Sequence, residues 1–446
     1  MPRMDENLLQ EVVAKARAAG ADAAEAVFAE RRSLSVTVRL GALEEVEREE
    51  SGDLGVRVFV GRRQATVSGS DISADGRAKL VERAVAMARL APEDPYAGLA
   101  PEDRLARGPA PDLDLFDAAE PDAEGLEQLA LEAETAARDI PGVTNSDSSS
   151  AYWSTGAWRL VTSTGFYGEH RASSFGVSAG AVAGDGSSME RAGEGRTTRW
   201  RADLPSAAEI GADAGRRAVA RLGSRKIAST TAPVIFENRI AAATLGPMLA
   251  AISGPSIARG VSFLKGKLGE QVFSKAVTIS DEPHRRRGLG SSPFDDEGVA
   301  NRAANIIDAG VLTTWLLNTA SARQLGLETT GHASRGLAGP PGVAPSNLTL
   351  QPGELDQAGL MREAGAGLLV TTLFGPSLNP NTGDWSVGCA GFWFEDGQIA
   401  YPVSEITVAG NLIEAYGRVV PGADLEFRGA SNAPSLLIDA LAIAGK

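Results

Sequence analysis

The sequence predicts an α+β protein: two N-terminal helix–antiparallel-sheet units, then a larger, mainly antiparallel β domain of sandwich or barrel type. Three observations predict it. Helical and strand periodicities alternate twice within the first 226 residues, each time in the order helix, strands, helix. From residue 227 onward, short apolar runs broken by Gly, Asn and Pro dominate. Glycine is abundant, at 51 of 446 residues, while aromatics are only 5%, which favours turns and short strands over a helical bundle. At roughly 150 residues per domain the length fits two to four domains. The boundaries read as an N-terminal domain over 1–91, a linker over 92–121, a central domain over 122–226 and a C-terminal domain over 227–446.

Asp5 caps a first helix whose apolar positions Leu8, Leu9, Val12, Val13 and Ala16 follow the helical period and stop near Gly20. Residues 33–40 alternate as a strand, with Leu34, Val36, Val38 and Leu40 on one face. Residues 54–60 and 64–68 form a hairpin around Gly61. Ser73 opens a second helix, with Leu80, Val81, Ala84, Val85 and Ala88 on one side, ending before Pro92. The Pro- and Asp-rich stretch to Pro121 is the linker. A helix over 122–138 carries Leu126, Leu129, Ala130 and Ala133; strands follow over 143–200, then a helix over 206–222 that Gly223 can close. The layout repeats but the residues do not. Beyond it, strands read at 233–236, 271–279, 304–307, 311–317, 367–373, 391–394 and 405–409, with one helix near 240–252.

Charge and composition exclude several classes. Net charge is −14, and the basic clusters, Arg31-Arg32 and Arg285-Arg286-Arg287, are short and isolated. Nucleic-acid affinity needs an extended basic face, so no nucleic acid is expected as a partner. The apolar stretches near 248–257 and 366–374 are short and interrupted, so no membrane span is expected. The N-terminus has no apolar core of a signal peptide, and a lone cysteine, Cys389, fits a reducing compartment. A soluble, cytoplasmic protein is expected.

The three histidines, His170, His284 and His332, are too scattered for a helical zinc motif. His170 ends a strand and His284 precedes three arginines, so solvent exposure is the better reading for both. His332 sits among small residues in Thr330-Gly331-His332-Ala333-Ser334-Arg335, where it either lines a cleft or fixes a turn. Cys389, in an apolar run, reads as a small core residue. Gly176-Val177-Ser178-Ala179-Gly180 has the letters of a nucleophile elbow, but a turn follows instead of a helix. Residues 260–267 miss the phosphate-loop spacing by one residue. Asp295-Asp296-Glu297-Gly298 lacks the alternation of a calcium loop and reads as a solvated or Arg-paired turn.

Several blocks together resemble the TldD/PmbA peptidase family, and its PmbA (TldE) branch in particular. They include Gly55-Val56-Arg57-Val58, Leu222-Gly223-Ser224-Arg225-Lys226, Phe294-Asp295-Asp296-Glu297-Gly298, Asp308-Ala309-Gly310-Val311-Leu312, Thr330-Gly331-His332, Pro345-Ser346-Asn347-Leu348, Thr382-Gly383-Asp384-Trp385 and the run from Pro402 to Leu412. The resemblance implies a zinc metallopeptidase family in which TldD-type subunits carry H-E-x-x-x-H on the early helix of the last domain, with a late cysteine as third ligand. Here Ala250 and Pro255 fall where the two histidines would be, and Ala251 where the glutamate would be. Methyl groups and a proline ring hold no zinc, and Ala251 takes no proton from bound water. No cofactor is therefore expected in this chain.

By the same resemblance, the chain is expected to be the non-catalytic member of a heterodimer whose zinc lies in a TldD-type partner, a homodimer remaining open. The pair would act on unfolded or modified peptides, such as peptide-antibiotic precursors and antitoxins. This chain would help hold the extended peptide, with His332, Arg335 and Asn347 lining the shared cavity. Two alternatives stay open: a self-sufficient hydrolase with an unrecognised site near His332, and a binding or scaffold protein without proteolysis.

Overall fold

A computed structural model describes residues 5–445. The first helix, α1 (Glu6–Ala18), is capped by the Asp5 carboxylate, which accepts from the Leu8 amide at 3.0 Å. Strands β1 (Ala23–Arg39), β2 (Ala42–Val60) and β3 (Arg63–Gly69) follow, then α2 (Ala74–Leu90), capped by Ser73. The 92–121 stretch holds no helix or strand, yet buries Leu99, Leu105, Leu113 and Leu115. Next come α3 (Ala123–Arg138), β4 (Val143–Thr162), β5 (Tyr167–Ala183), β6 (Glu190–Thr198) and α4 (Ala207–Ala220). Asp122 and Ser206 cap the two helices, and Gly223 follows the second with φ of 75°. Leu40, read as part of the strand face, instead sits at the β1–β2 turn with φ of 53° and is exposed.

The two helix-and-sheet units share one six-stranded antiparallel sheet in the order β3-β2-β1-β4-β5-β6. β1 joins them, pairing with β4 from Glu25↔Thr162 to Val38↔Ser149. Its length lets it serve two cores. Ala24, Ala26 and Phe28 pack with α1 and α2, while Val36 and Val38 pack with α3 and α4. These residues have the same strand parity, so both helix pairs lie on one face. On the other face Val27, Leu160 and Phe166 meet Leu105, Phe294 and Val299, docking the C-terminal domain. The approach is close: a Cβ on Gly55 of β2 would come within 2.8 Å of the Leu337 carbonyl oxygen.

The C-terminal domain opens with β7 (Thr230–Phe236), the short helix α5 (Asn238–Ala241), a 3-10 turn (Ala242–Leu245), then α6 (Gly246–Ala251) and α7 (Gly254–Arg259). A single helix over 240–252 is therefore replaced by a segmented one. Strands β8 (Ile279–Asp281), β9 (Ala304–Asp308) and β10 (Val311–Leu312), helix α8 (Thr319–Leu325), and strands β11 (Ala333–Ser334), β12 (Gly342–Val343) and β13 (Leu348–Leu350) come next. The expected strand at 271–279 is mostly irregular chain, and that at 311–317 shrinks to two residues. Their apolar side chains, Val272, Phe273, Val277, Trp315 and Leu316, are core all the same. Burial explains the apolar run; the backbone hydrogen bonds are made with loops, as in Val272 N–H to the Gly310 carbonyl at 2.9 Å.

Helix α9 (Gln357–Ala364), strands β14 (Gly367–Leu378), β15 (Asp384–Glu395) and β16 (Gln398–Asn411), helix α10 (Leu412–Tyr416), and strands β17 (Val419–Pro421), β18 (Ser431–Asn432) and β19 (Leu436–Ala444) complete the chain. β16, β15, β14, β7 and β19 pair in that order, and β19 pairs back onto β16, from Thr407↔Ala444 to Ala409↔Ala442. The result is a closed five-stranded barrel, parallel only at β7–β14. Alternating residues Val234, Phe236, Leu368, Val370, Val387, Cys389, Ile406 and Val408 join the main core, while Ile235 and Leu369 face α9. Beside the barrel lies the sheet β10-β9-β8-β13-β18, which carries the site described next.

Candidate functional site

Four segments converge at the end of β8. Asp281 closes that strand opposite Leu348 of β13 and is 1% exposed. Its Oδ1 accepts from the Ser346 amide at 2.9 Å, and its Oδ2 lies 3.2 Å from His332 Nε2. His332 Nδ1 lies 2.8 Å from Thr330 Oγ1, which accepts from the Leu317 amide at 2.8 Å. The network is consistent when Nε2–H donates to Asp281 and Nδ1 accepts from the Thr330 hydroxyl. Both ring nitrogens are thereby engaged.

The turn 295–298 forms the facing wall. Asp295 accepts from the amides of Glu297 and Val299 at 2.9 Å each and of Ala333 at 3.0 Å, so one carboxylate shapes its own turn and ties it to β11. Burial, reinforced by Glu297, pushes its pKa well above the usual range. Asp296 accepts from the Arg335 amide at 2.8 Å, and burial raises it to about 6. Glu297 accepts from the Thr319 amide at 2.8 Å, is raised mainly by burial, and faces Arg57 at 3.9 Å. The turn is therefore buried and Arg-paired, and the solvated reading is corrected. Between these walls lies a cleft of about 150 Å³ lined by Ser292, Asp296, Asn301, His332, Ser334 and Ser346.

Of the three residues expected at a peptide cavity, His332 lines this cleft. Arg335 contributes its backbone amide, while its fully buried side chain turns away to ion-pair with Glu25 of β1. Asn347 is 1% exposed and committed to local structure. Its Oδ1 accepts from the Gly290 amide at 2.9 Å, and its Nδ2 donates to the Glu282 carbonyl at 2.7 Å and to Ser291 Oγ at 2.8 Å. Sequence reasoning missed Asp281 and Asp296. Nothing in local spacing ties residue 281 to 332, whereas the acidic run at 295–297 was a visible signal.

The remaining chemistry-bearing residues lie elsewhere. His284 is exposed, with Nε2 2.8 Å from Asn301 Oδ1. His170 is half-buried, edge-on to Phe294 at 5.9 Å, and burial followed by Arg199 lowers its pKa to about 4, which corrects its expected exposure. Cys389 is fully buried, and burial raises its thiol to about 12, which leaves no thiolate for catalysis. Ser178 is exposed in mid-β5 and shares a hydrogen bond with Ser150 at 2.9 Å; no histidine joins it.

The α6–α7 segment does not fit a zinc ion. α6 ends at Ala251, the chain bridges to Leu316 at Ser253, and α7 restarts with Pro255 in its first turn. Ala250 is exposed, Ala251 is 4% exposed, and none of the three side chains has a donor atom. Among the described residues, no group of three or more His, Cys, Asp and Glu side chains is placed to hold a metal ion.

Comparison with known proteins follows this architecture domain by domain. Sequence models of PmbA/TldA metallopeptidase domain 1, central domain and C-terminal domain match residues 24–88, 116–222 and 229–445. The chain is 38% identical to the metalloprotease PmbA of Escherichia coli O157:H7, over 95% of this chain and 93% of that one. It is 37% identical to the PmbA homolog of Haemophilus influenzae, over 96% and 93%. A Bacteroides thetaiotaomicron structure described as a candidate modulator of DNA gyrase superposes with a TM-score of 0.91 at 28% identity, covering 99% of this chain and all of that one. TldE from Thermococcus kodakarensis shares the fold, with a TM-score of 0.86 at 21% identity over 98% of this chain. With all three domain models matched in order and these relatives aligned almost end to end, the chain belongs to the PmbA/TldD metallopeptidase family, on its PmbA (TldE) branch.

Proposed function

We propose that this chain is the zinc-free subunit of a heteromeric peptidase, paired with a TldD-type subunit that supplies the metal. The pair cleaves unfolded or modified peptides in the cytoplasm, and this chain helps to hold the extended substrate. The observation that carries the reading is the donor-free set Ala250, Ala251 and Pro255 on a segment broken at 252–253. Zinc catalysis needs about three N, O or S ligands and an open position for water. The engagement of both His332 nitrogens supports an ordering role for the His332 cleft over a role as free general base. Among the described residues no helix is long and apolar enough to cross a membrane.

Two measurements test this. Elemental analysis of the purified chain is expected to find well under one zinc per chain; stoichiometric zinc that survives mild chelation refutes the reading. Peptide hydrolysis is expected only after mixing with the TldD-type chain of the same organism, and zinc-dependent turnover by this chain alone refutes it too.

A further inference from the structure

The N-terminal half of β2 is built against its own sequence. Strand β3 covers only residues 54–60 of β2, so among the described residues 42–53 pair with β1 alone and leave an open edge. At about 3.3 Å per residue this edge is about 40 Å long. Residues 42–50 are exposed throughout, on both faces of the strand. They are also poor strand formers, because Glu is depleted from sheets. Glu44 is held by Ser148 Oγ at 3.0 Å, and Glu50 by Arg48 at 2.8 Å. The side chains of Glu45, Glu47 and Glu49 make no hydrogen bond or ion pair among the described residues. They share one face at alternate positions, about 7 Å apart, where they repel one another. The opposite face differs. Val46 borders a groove of about 540 Å³ whose floor includes Leu34 and Trp153, and Leu40 and Leu43 are exposed nearby.

We infer that the 42–53 edge of β2 is completed by an edge strand of the TldD-type partner subunit, which presents Lys or Arg to Glu45, Glu47 and Glu49 and apolar side chains to the Val46 groove. This rests on the heteromeric reading above. A second copy of this chain fits poorly. Antiparallel self-pairing would set five acids and one arginine of residues 44–50 against the same set, and like charges opposed across strands destabilise the pair. Main-chain hydrogen bonds along the added strand supply affinity, and the alternating side chains supply selectivity. Charges that merely guard an edge against aggregation are the competing account. Such charges do not call for the exposed apolar residues and groove beside them.

The test uses the full chain and the TldD-type chain of the same organism. Complex formation is expected to slow amide hydrogen exchange across 42–53. Combining Glu45→Lys, Glu47→Lys and Glu49→Lys is expected to weaken association about tenfold, mostly through a slower on-rate, with Gln at the same positions intermediate. None of these side chains makes a hydrogen bond or ion pair among the described residues, so circular dichroism should show an unchanged fold. Association that persists in the Lys variant, with 42–53 exchanging as fast as in the free chain, overturns the inference and leaves the heteromeric reading standing. Failure of the unmodified chains to associate overturns both.

Discussion

Arg335 and Glu25 meet where the C-terminal domain touches the sheet. Glu25, 1% exposed, takes Arg335 on one side and Arg57 at 3.0 Å on the other, while Arg335 Nη2 is buried without a partner. Removing one partner leaves charge buried and under-compensated. Arg335→Ala is therefore expected to lower stability by about 3 kcal/mol in denaturant titrations, an effect on folding and not on substrate. Asp296 gives a pH signature. Its folded pKa of about 6 lies above the unfolded value, so the native state holds a proton that the unfolded chain releases. Stability from this group is full below pH ~4 and falls as pH rises through 6. His170, lowered to about 4, acts oppositely, losing stability as pH falls below ~6.5. Asp296→Asn keeps the acceptor for the Arg335 amide and removes the charge. It is expected to be more stable than the parent by ~2–3 kcal/mol at pH 8 and to match it only near pH ~3.5, as read from paired denaturation curves. His332 was legible as a polar group in a small-residue loop. The committed states of Arg335 and Asn347 were not, because their partners lie far away in sequence, at residue 25 and at residues 282–291.

Elements capped locally were legible and elements defined by tertiary pairing were not. Asp5, Ser73, Asp122 and Ser206 each hold their own helix N-terminus, a signal contained within four residues. By contrast β13 and β19 went unread, since a three-residue run and an apolar run interrupted by Asp439 do not say which neighbour they will pair with. The α6–α7 break was half legible: Gly254-Pro255 marked it, but its packing was hidden. A Cβ on Gly254 would fall 2.4 Å from Ser321 Oγ and 2.8 Å from Leu317 Cδ2, so α7 and α8 touch through that glycine. Gly254→Ala is expected to cost about 1–3 kcal/mol by overpacking, measured as a lower midpoint in urea. The same break bears on restoring the metal motif. Ala250→His, Ala251→Glu and Pro255→His together are expected to give no zinc-dependent peptidase. Ala251 is core beside Met248, so a carboxylate there is buried unpaired, and positions 250 and 255 belong to different helices. Zinc-dependent cleavage by this triple variant would overturn that argument.

Across the whole molecule, repetition in the sequence revealed two helix-and-sheet units but concealed that they share one sheet. Periodicity reports which face of a strand is buried and says nothing about its lateral neighbour. The β1–β4 ladder makes the two cores mechanically one. Native-state hydrogen exchange is accordingly expected to show amides around Ala26 and Val36 opening with a single free energy, although they serve different cores. The barrel is arranged otherwise. Its β7 finds one neighbour, β19, only about 200 residues later, at 436–444. The sheet of the first two units is complete once residue 198 has been made. A ribosome adding ~5–20 residues per second therefore releases a finished sheet while β7 waits roughly 10–40 s for its last neighbour. During that interval at least one edge of β7, the strand that carries Val234, Ile235 and Phe236, is unpaired. The burden on chaperones in making this protein thus falls on the second half of its synthesis, and slowing translation there lengthens the exposure.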